Sequence, residues 1–124
     1  MNDYNNELEE SVERLGTQGY CDIAAEILLE TYPDARIFRF TDGNSFGHVF
    51  LVIDGRALDI SGFKSIEEMS ATEACKGLRC EPVTLEAVQQ SFRSHGRTVE
   101  ERGVVRRRFT NHIAQNPDTF RRDA

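Results

Sequence analysis

Three residues of this chain have side chains that can do chemistry together: Cys21, His48 and Asp59. A carboxylate can fix the tautomer of an imidazole, orient the ring and stabilise its charged form. The second ring nitrogen is then free to act as a base or to hold a thiolate. His48 and Asp59 both lie in GHVFLVIDGRALDISG, from Gly47 to Gly62. Most of this stretch reads as two strands of Val, Phe, Leu and Ile around a turn. Asp54-Gly55 is a favoured two-residue hairpin loop, because both residues tolerate positive φ. With that loop Ile53 faces Arg56, and Phe50 faces Asp59. Residues two apart share one face of a strand. His48 and Asp59 are therefore expected as diagonal neighbours on one face, roughly 6–8 Å apart at Cβ. A three-residue loop would turn Asp59 to the other face.

Cys21 is the candidate nucleophile. It stands where a break bracketed by Gly16 and Gly19 meets an amphipathic helix expected over Cys21–Tyr32. The positive end of a helix favours a thiolate, as does a nearby imidazolium. Asp22 beside it acts in the opposite sense, although the first helical turn is a favourable place for a carboxylate. Each residue also has a plain structural alternative. Cys21 can pack as a small hydrophobe, His48 can be a satisfied core histidine, and Asp59 can cap the turn near Ser61-Gly62.

A Cys at a helix start, a His on one strand and an Asp on the next resembles the papain-like cysteine hydrolase superfamily. The stretch GHV…DG…D…G also looks like small uncharacterised bacterial and phage proteins. The resemblance spans Gly19 to Gly62. It implies Cys21 as nucleophile, His48 as base and Asp59 as the orienting acid of a Cys-His-Asp triad, acting on an amide, isopeptide or thioester bond. Members often use a Gln shortly before the Cys to bind the oxyanion, which points to Gln18. No metal or organic cofactor is implied. The alternative is a catalytically silent binding protein on the same scaffold. A phage-encoded inhibitor of a bacterial defence complex, acting through its charged surface, would be an example.

The elements that must position these residues follow from periodicity and end signals. A short charged helix is expected over Asn6–Leu15, and a strand over Arg36–Thr41. His48–Ile53 is apolar on both faces, as a covered central strand is. Arg56–Ile60 is its partner, ended by Gly62. Ser65-Ile66-Glu67-Glu68 matches a capping box, Thr84 an N-cap for Leu85–Ser94, and Thr98 an N-cap for a helix reaching about Gln115. Cys80–Val83 is a short strand candidate. N-terminal helices, a small antiparallel β-meander and C-terminal helices packed on it make an α+β fold. The expected organisation is a single domain over 1–124, with the hydrolase-like core at 19–62 and a mostly helical remainder at 63–124.

The chain has 124 residues, 39% hydrophobic and 29% charged, a balance suited to a globular core. No apolar run is long enough to span a bilayer, so no membrane contact is expected. Three cysteines, an odd number, and the lack of a secretory signal pattern favour free thiols and a cytoplasmic location. Cys75 and Cys80 read as packing thiols rather than metal ligands. The net charge of −6 is unevenly spread. Met1–Asp34 holds nine acidic residues against Arg14 alone, whereas Arg93–Ala124 holds eight arginines against four acids. Such segments can be solvated faces that attract one another, or a partner site. A sequence pI near 5.1 and few aromatics among the arginines argue against nucleic acid. A protein substrate or protein partner is expected instead.

Overall fold

The computed structural model describes residues 11–17, 19–93 and 98–122. Its elements run α1 (Val12–Thr17), α2 (Cys21–Thr31), β1 (Arg36–Thr41), β2 (His48–Ile53), β3 (Arg56–Asp59), β4 (Gly62–Lys64), α3 (Ile66–Ser70), β5 (Arg79–Pro82), α4 (Leu85–Arg93) and α5 (Val99–Gln115). The class is α+β. The strands form one antiparallel sheet in the order β4-β3-β2-β1-β5.

β2 lies at the centre of the sheet and is covered on both sides, which is why its six residues are almost uniformly apolar. Alternation sends Val49 and Leu51 to one side and Phe50 to the other. On the first side they join Leu58, Ile60 and the apolar stripe of α2, including Ile23, Ile27 and Leu28. Val105 and Phe109 of α5 complete this core. On the second side Phe50 meets Phe40, Ala57, Met69 of α3 and Cys75. Phe40 and Phe50 stack there with ring centroids 5.0 Å apart.

The hairpin turn has the geometry its sequence demands. Asp54 and Gly55 both take positive φ, 53° and 76°, as a two-residue loop between twisted strands requires. The observed register pairs Ile53 with Arg56 and Leu51 with Leu58. The chain's end clamps this turn: Arg122 donates to Asp54 Oδ2 at 2.7 Å and to Asp34 Oδ2 at 2.9 Å. Arg56 donates in turn to the Arg122 carbonyl.

Two expectations need correction. Gly62 does not end the sheet. β3 stops at Asp59, Ile60 and Ser61 form a second tight turn, and Gly62 opens β4, pairing with Asp59. The strand candidate at Cys80–Val83 is met by β5, which pairs with β1. Gly16 is not a break but lies inside α1. A Cβ there would sit 2.1 Å from Ile60 Cγ2, so the glycine allows α1 to press onto the β3–β4 turn. The Asn6–Leu15 helix is met by α1, while residues 6–10 lie outside the described residues.

The capping signals act as expected. Ser65 and Glu68 form a full capping box, Thr84 Oγ1 accepts from Ala87 N, and Thr98 accepts from Glu101 N ahead of a helix ending at Gln115. Ser94, the expected last residue of α4, lies outside the described residues.

Phe109 is wholly buried against α2 and the sheet. Phe109→Ala is expected to cost about 3–5 kcal/mol, the usual loss for a buried aromatic ring. It should appear as a lower urea midpoint with an unchanged slope. A loss under about 1 kcal/mol would show that α5 is not part of the core.

Candidate functional site

His48 is the first residue of the central strand, and Asp59 the last of its neighbour. The turn register places them diagonally on one face, and the side chains close the gap. His48 Nε2 and Asp59 Oδ2 are 3.0 Å apart, with both residues 4% exposed. The His48 ring also lies nearly parallel to Phe50, centroids 6.3 Å apart.

Cys21 is the first residue of α2, and its sulfur lies against the start of β2. Val49 N donates to Cys21 Sγ at 3.4 Å, and the thiol donates to the Gly47 carbonyl at 3.8 Å. The sulfur thus touches the backbone on both sides of His48. Gly47 makes this approach possible. It has φ 90°, and a Cβ there would fall 1.9 Å from the Phe40 carbonyl oxygen. Tyr20 precedes the helix without a side-chain cap, so no side chain at that position competes for the first helical N–H groups.

The pair is electrostatically tuned. Burial alone would lower the His48 pKa. The hydrogen bond to Asp59, its carboxylate charge and the neighbouring Cys21 sulfur outweigh burial and push it up to about 9. Burial alone would raise the Asp59 pKa. The His48 hydrogen bond and charge, the Ser61 hydrogen bond and the Lys64 ammonium outweigh that and bring it below the usual carboxylate value. At neutral pH the site therefore holds an imidazolium against a carboxylate. His48 Nδ1 is buried with no hydrogen-bond partner, which leaves it as the ring nitrogen available to the thiol.

Asp59 serves two purposes at once. Its Oδ2 meets His48, and its Oδ1 accepts from Ser61 N at 2.9 Å and Ser61 Oγ at 2.5 Å. The turn-capping alternative and the histidine-pairing one are both realised, on different oxygens. A cleft of about 210 Å³ reaches this pair and is lined also by Thr17, Ser61, Lys64 and Thr72–Ala74. Sequence reasoning misses Ser61 and Lys64 as site residues. The available signal is the Asp-x-Ser spacing, which favours an Asx turn. Gln18 lies outside the described residues. Cys75 is buried in the second core, where burial raises its pKa, while Cys80 is exposed on β5. Among the described residues no group of three or more His, Cys, Asp or Glu could hold a metal ion.

Comparison with known proteins adds the lineage. The model of the phage YunG-like protein family matches residues 1–96. The chain belongs to the phage YunG-like family. No curated protein and no solved structure matched it. The phage side of the sequence resemblance is thus shown. All three chemistry-bearing residues of this YunG-like protein fall inside the matched segment, whereas α5 and the Arg122 clamp follow it. No helix among the described residues is long and apolar enough to cross a membrane.

The His48 shift has a consequence for stability. A folded pKa near 9 against 6.5 in the unfolded chain means the native state binds the proton more tightly. That stabilisation is full below about pH 6.5 and is lost as pH rises toward 9. Denaturant titrations at a series of pH values should show wild-type stability falling across this window. His48→Gln should be flat over the same range, and parallel wild-type and variant curves would exclude the raised His48 pKa.

Proposed function

We propose that this YunG-like protein is a cysteine hydrolase with a Cys21-His48-Asp59 triad, of the papain-like kind. The observation that carries the proposal is the shared placement of the three groups. Asp59 holds Nε2 of a buried histidine whose chain neighbours Gly47 and Val49 both touch the Cys21 sulfur, and that thiol sits at the positive end of a helix.

The steps follow from the charges. His48 already carries the proton, so Cys21 acts as the thiolate partner of the imidazolium, and its sulfur adds to the carbonyl carbon of an amide, isopeptide or thioester. The oxyanion takes the Cys21 backbone N–H as donor, with Gln18 a candidate second donor. The imidazolium then gives its Nδ1 proton to the departing nitrogen or sulfur. The C–N or C–S bond breaks and leaves an acyl thioester on Cys21. His48 next takes a proton from water, whose hydroxyl displaces the sulfur and releases a carboxylic acid. No metal or organic cofactor is required. A thiol nucleophile works best in a reducing compartment such as the cytoplasm, and the three free cysteines fit that setting.

Exposure and reactivity make opposite predictions for the cysteines, which gives a direct test. Cys80 is exposed and Cys21 is 3% exposed. With iodoacetamide and peptide mapping at neutral pH, Cys21 is expected to label about tenfold faster than Cys80 or more. His48→Ala should abolish that advantage. If Cys80 labels first and Cys21 stays inert in the folded protein, Cys21 is a core residue and the hydrolase proposal fails. The silent binding protein of the alternative would give that second pattern.

A further inference from the structure

The Ser61 hydroxyl lies between two groups of opposite charge. Lys64 Nζ donates to Ser61 Oγ at 2.9 Å, and Ser61 Oγ donates to Asp59 Oδ1 at 2.5 Å. An ammonium has protons to give and no lone pair with which to accept. Lys64 therefore occupies a lone pair of Ser61 Oγ, and the single hydroxyl proton is directed toward Asp59. The Ser61 backbone N–H points at the same oxygen. Asp59 Oδ1 thus receives two donors, and Oδ2 is left to accept from His48 Nε2.

We infer that Ser61 and Lys64 are positioning residues that keep Asp59 an acceptor toward His48 and so confine the exchangeable ring proton to Nδ1, the nitrogen left for Cys21. The need for such residues comes from burial. A carboxyl group shut away from water tends to take up a proton. A protonated Asp59 could donate to Nε2, which would strip Nε2 of its proton and place the ring proton permanently on Nδ1. That tautomer has no base to offer a thiol. Two donors on Oδ1 and a cation behind them oppose it. The groups that bear on His48 are Cys21 from α2, Asp59 on β3, Lys64 on β4, and Cys75 and Glu73 from the segment after α3. Among these, Lys64 is the cation, and its ammonium is held against the Ser61 hydroxyl. The chemical use of this arrangement rests on the proposed cysteine chemistry, but the proton placement can be measured without turnover.

The test is ¹⁵N NMR of histidine-labelled full-length protein, with His48 assigned through His48→Gln. The wild type should titrate near pH 9 and give a neutral form protonated on Nε2. Ser61→Ala is expected to lower the midpoint by about one unit, a tenfold weaker hold on the proton. It should also populate the Nδ1-protonated tautomer. Ser61→Thr, which keeps the hydroxyl, should restore both. Lys64→Met, a milder change at the cleft, should give the same tautomer shift, and so tests the inference even if Ser61→Ala fails to fold. An unchanged His48 tautomer in both variants overturns the inference. If Cys21 is still selectively alkylated in that case, the hydrolase proposal stands without it. A shifted His48 alongside unselective cysteine labelling would support the inference and overturn the hydrolase proposal.

Discussion

A charged pair buried at the head of the central strand sets the terms for the rest of the structure. His48 and Asp59 meet at 3.0 Å with almost no solvent contact. Removing two charges from water is expensive, and their mutual attraction offsets that cost only when the geometry is good and the remaining valences are filled. The neighbours of the pair meet these conditions. Ser61 fills the second carboxylate oxygen, Lys64 stands behind Ser61, and Phe50 covers the ring. The pairing depends in turn on one register. The two-residue Asp54-Gly55 turn places His48 and Asp59 on the same face, and a one-residue slip would separate them. Arg122 ties the chain's end to Asp54 itself, so the last described residue of the fold holds the turn that aligns the site.

Cys21 reaches the pair by a different route. Helix α2 packs on the Val49 and Leu51 side of the sheet, while His48 projects with Phe50 to the opposite side. The two can approach because β2 begins at His48 and the helix begins at Cys21, so both lie at the same end of their layers. Two glycines permit the close contacts that this requires. Gly47 brings the chain past the Phe40 carbonyl, and Gly16 lets α1 lie against Ile60 beside the β3–β4 turn. Each is a point where a methyl group has no room. Packing of the α2 apolar stripe on Val49 and Leu51 carries the thiol to the start of the strand, and the glycines leave it room.

Among the described residues, part of the chain's uneven charge is paired across the fold. Glu26 and Glu30 on α2 face Arg102 and Arg106 on α5, and Asp34 faces Arg122. Such exposed pairs contribute little stability individually. They join α5 to α2 while Val105 and Phe109 supply the burial. These acidic and basic side chains therefore attract one another within the fold.

Much of the site is legible in the sequence because its determinants are local. Alternating apolar residues around Asp-Gly define a hairpin and its register, and register alone places an imidazole next to a carboxylate. Capping residues likewise mark the starts of α3, α4 and α5. Gly62 reads as a strand end because a strand end and a second tight turn share the same local signal. Only the Asp59–Ser61 hydrogen bonds and the pairing with Gly62 tell them apart. A glycine that breaks a helix and one that lets it pack closely also look alike, and Gly16 is the second kind only once Ile60 is set against it. Lys64 carries no local sign at all, since its partner is a hydroxyl across the turn. The sequence by itself determined the elements, the register and the pairing of His48 with Asp59, because each follows from contacts a few residues apart. Tertiary structure decided that Cys21 sits against Gly47 and Val49 and that the pair is dry. Those depend on layers packed from distant parts of the chain, and a dry site has no local code.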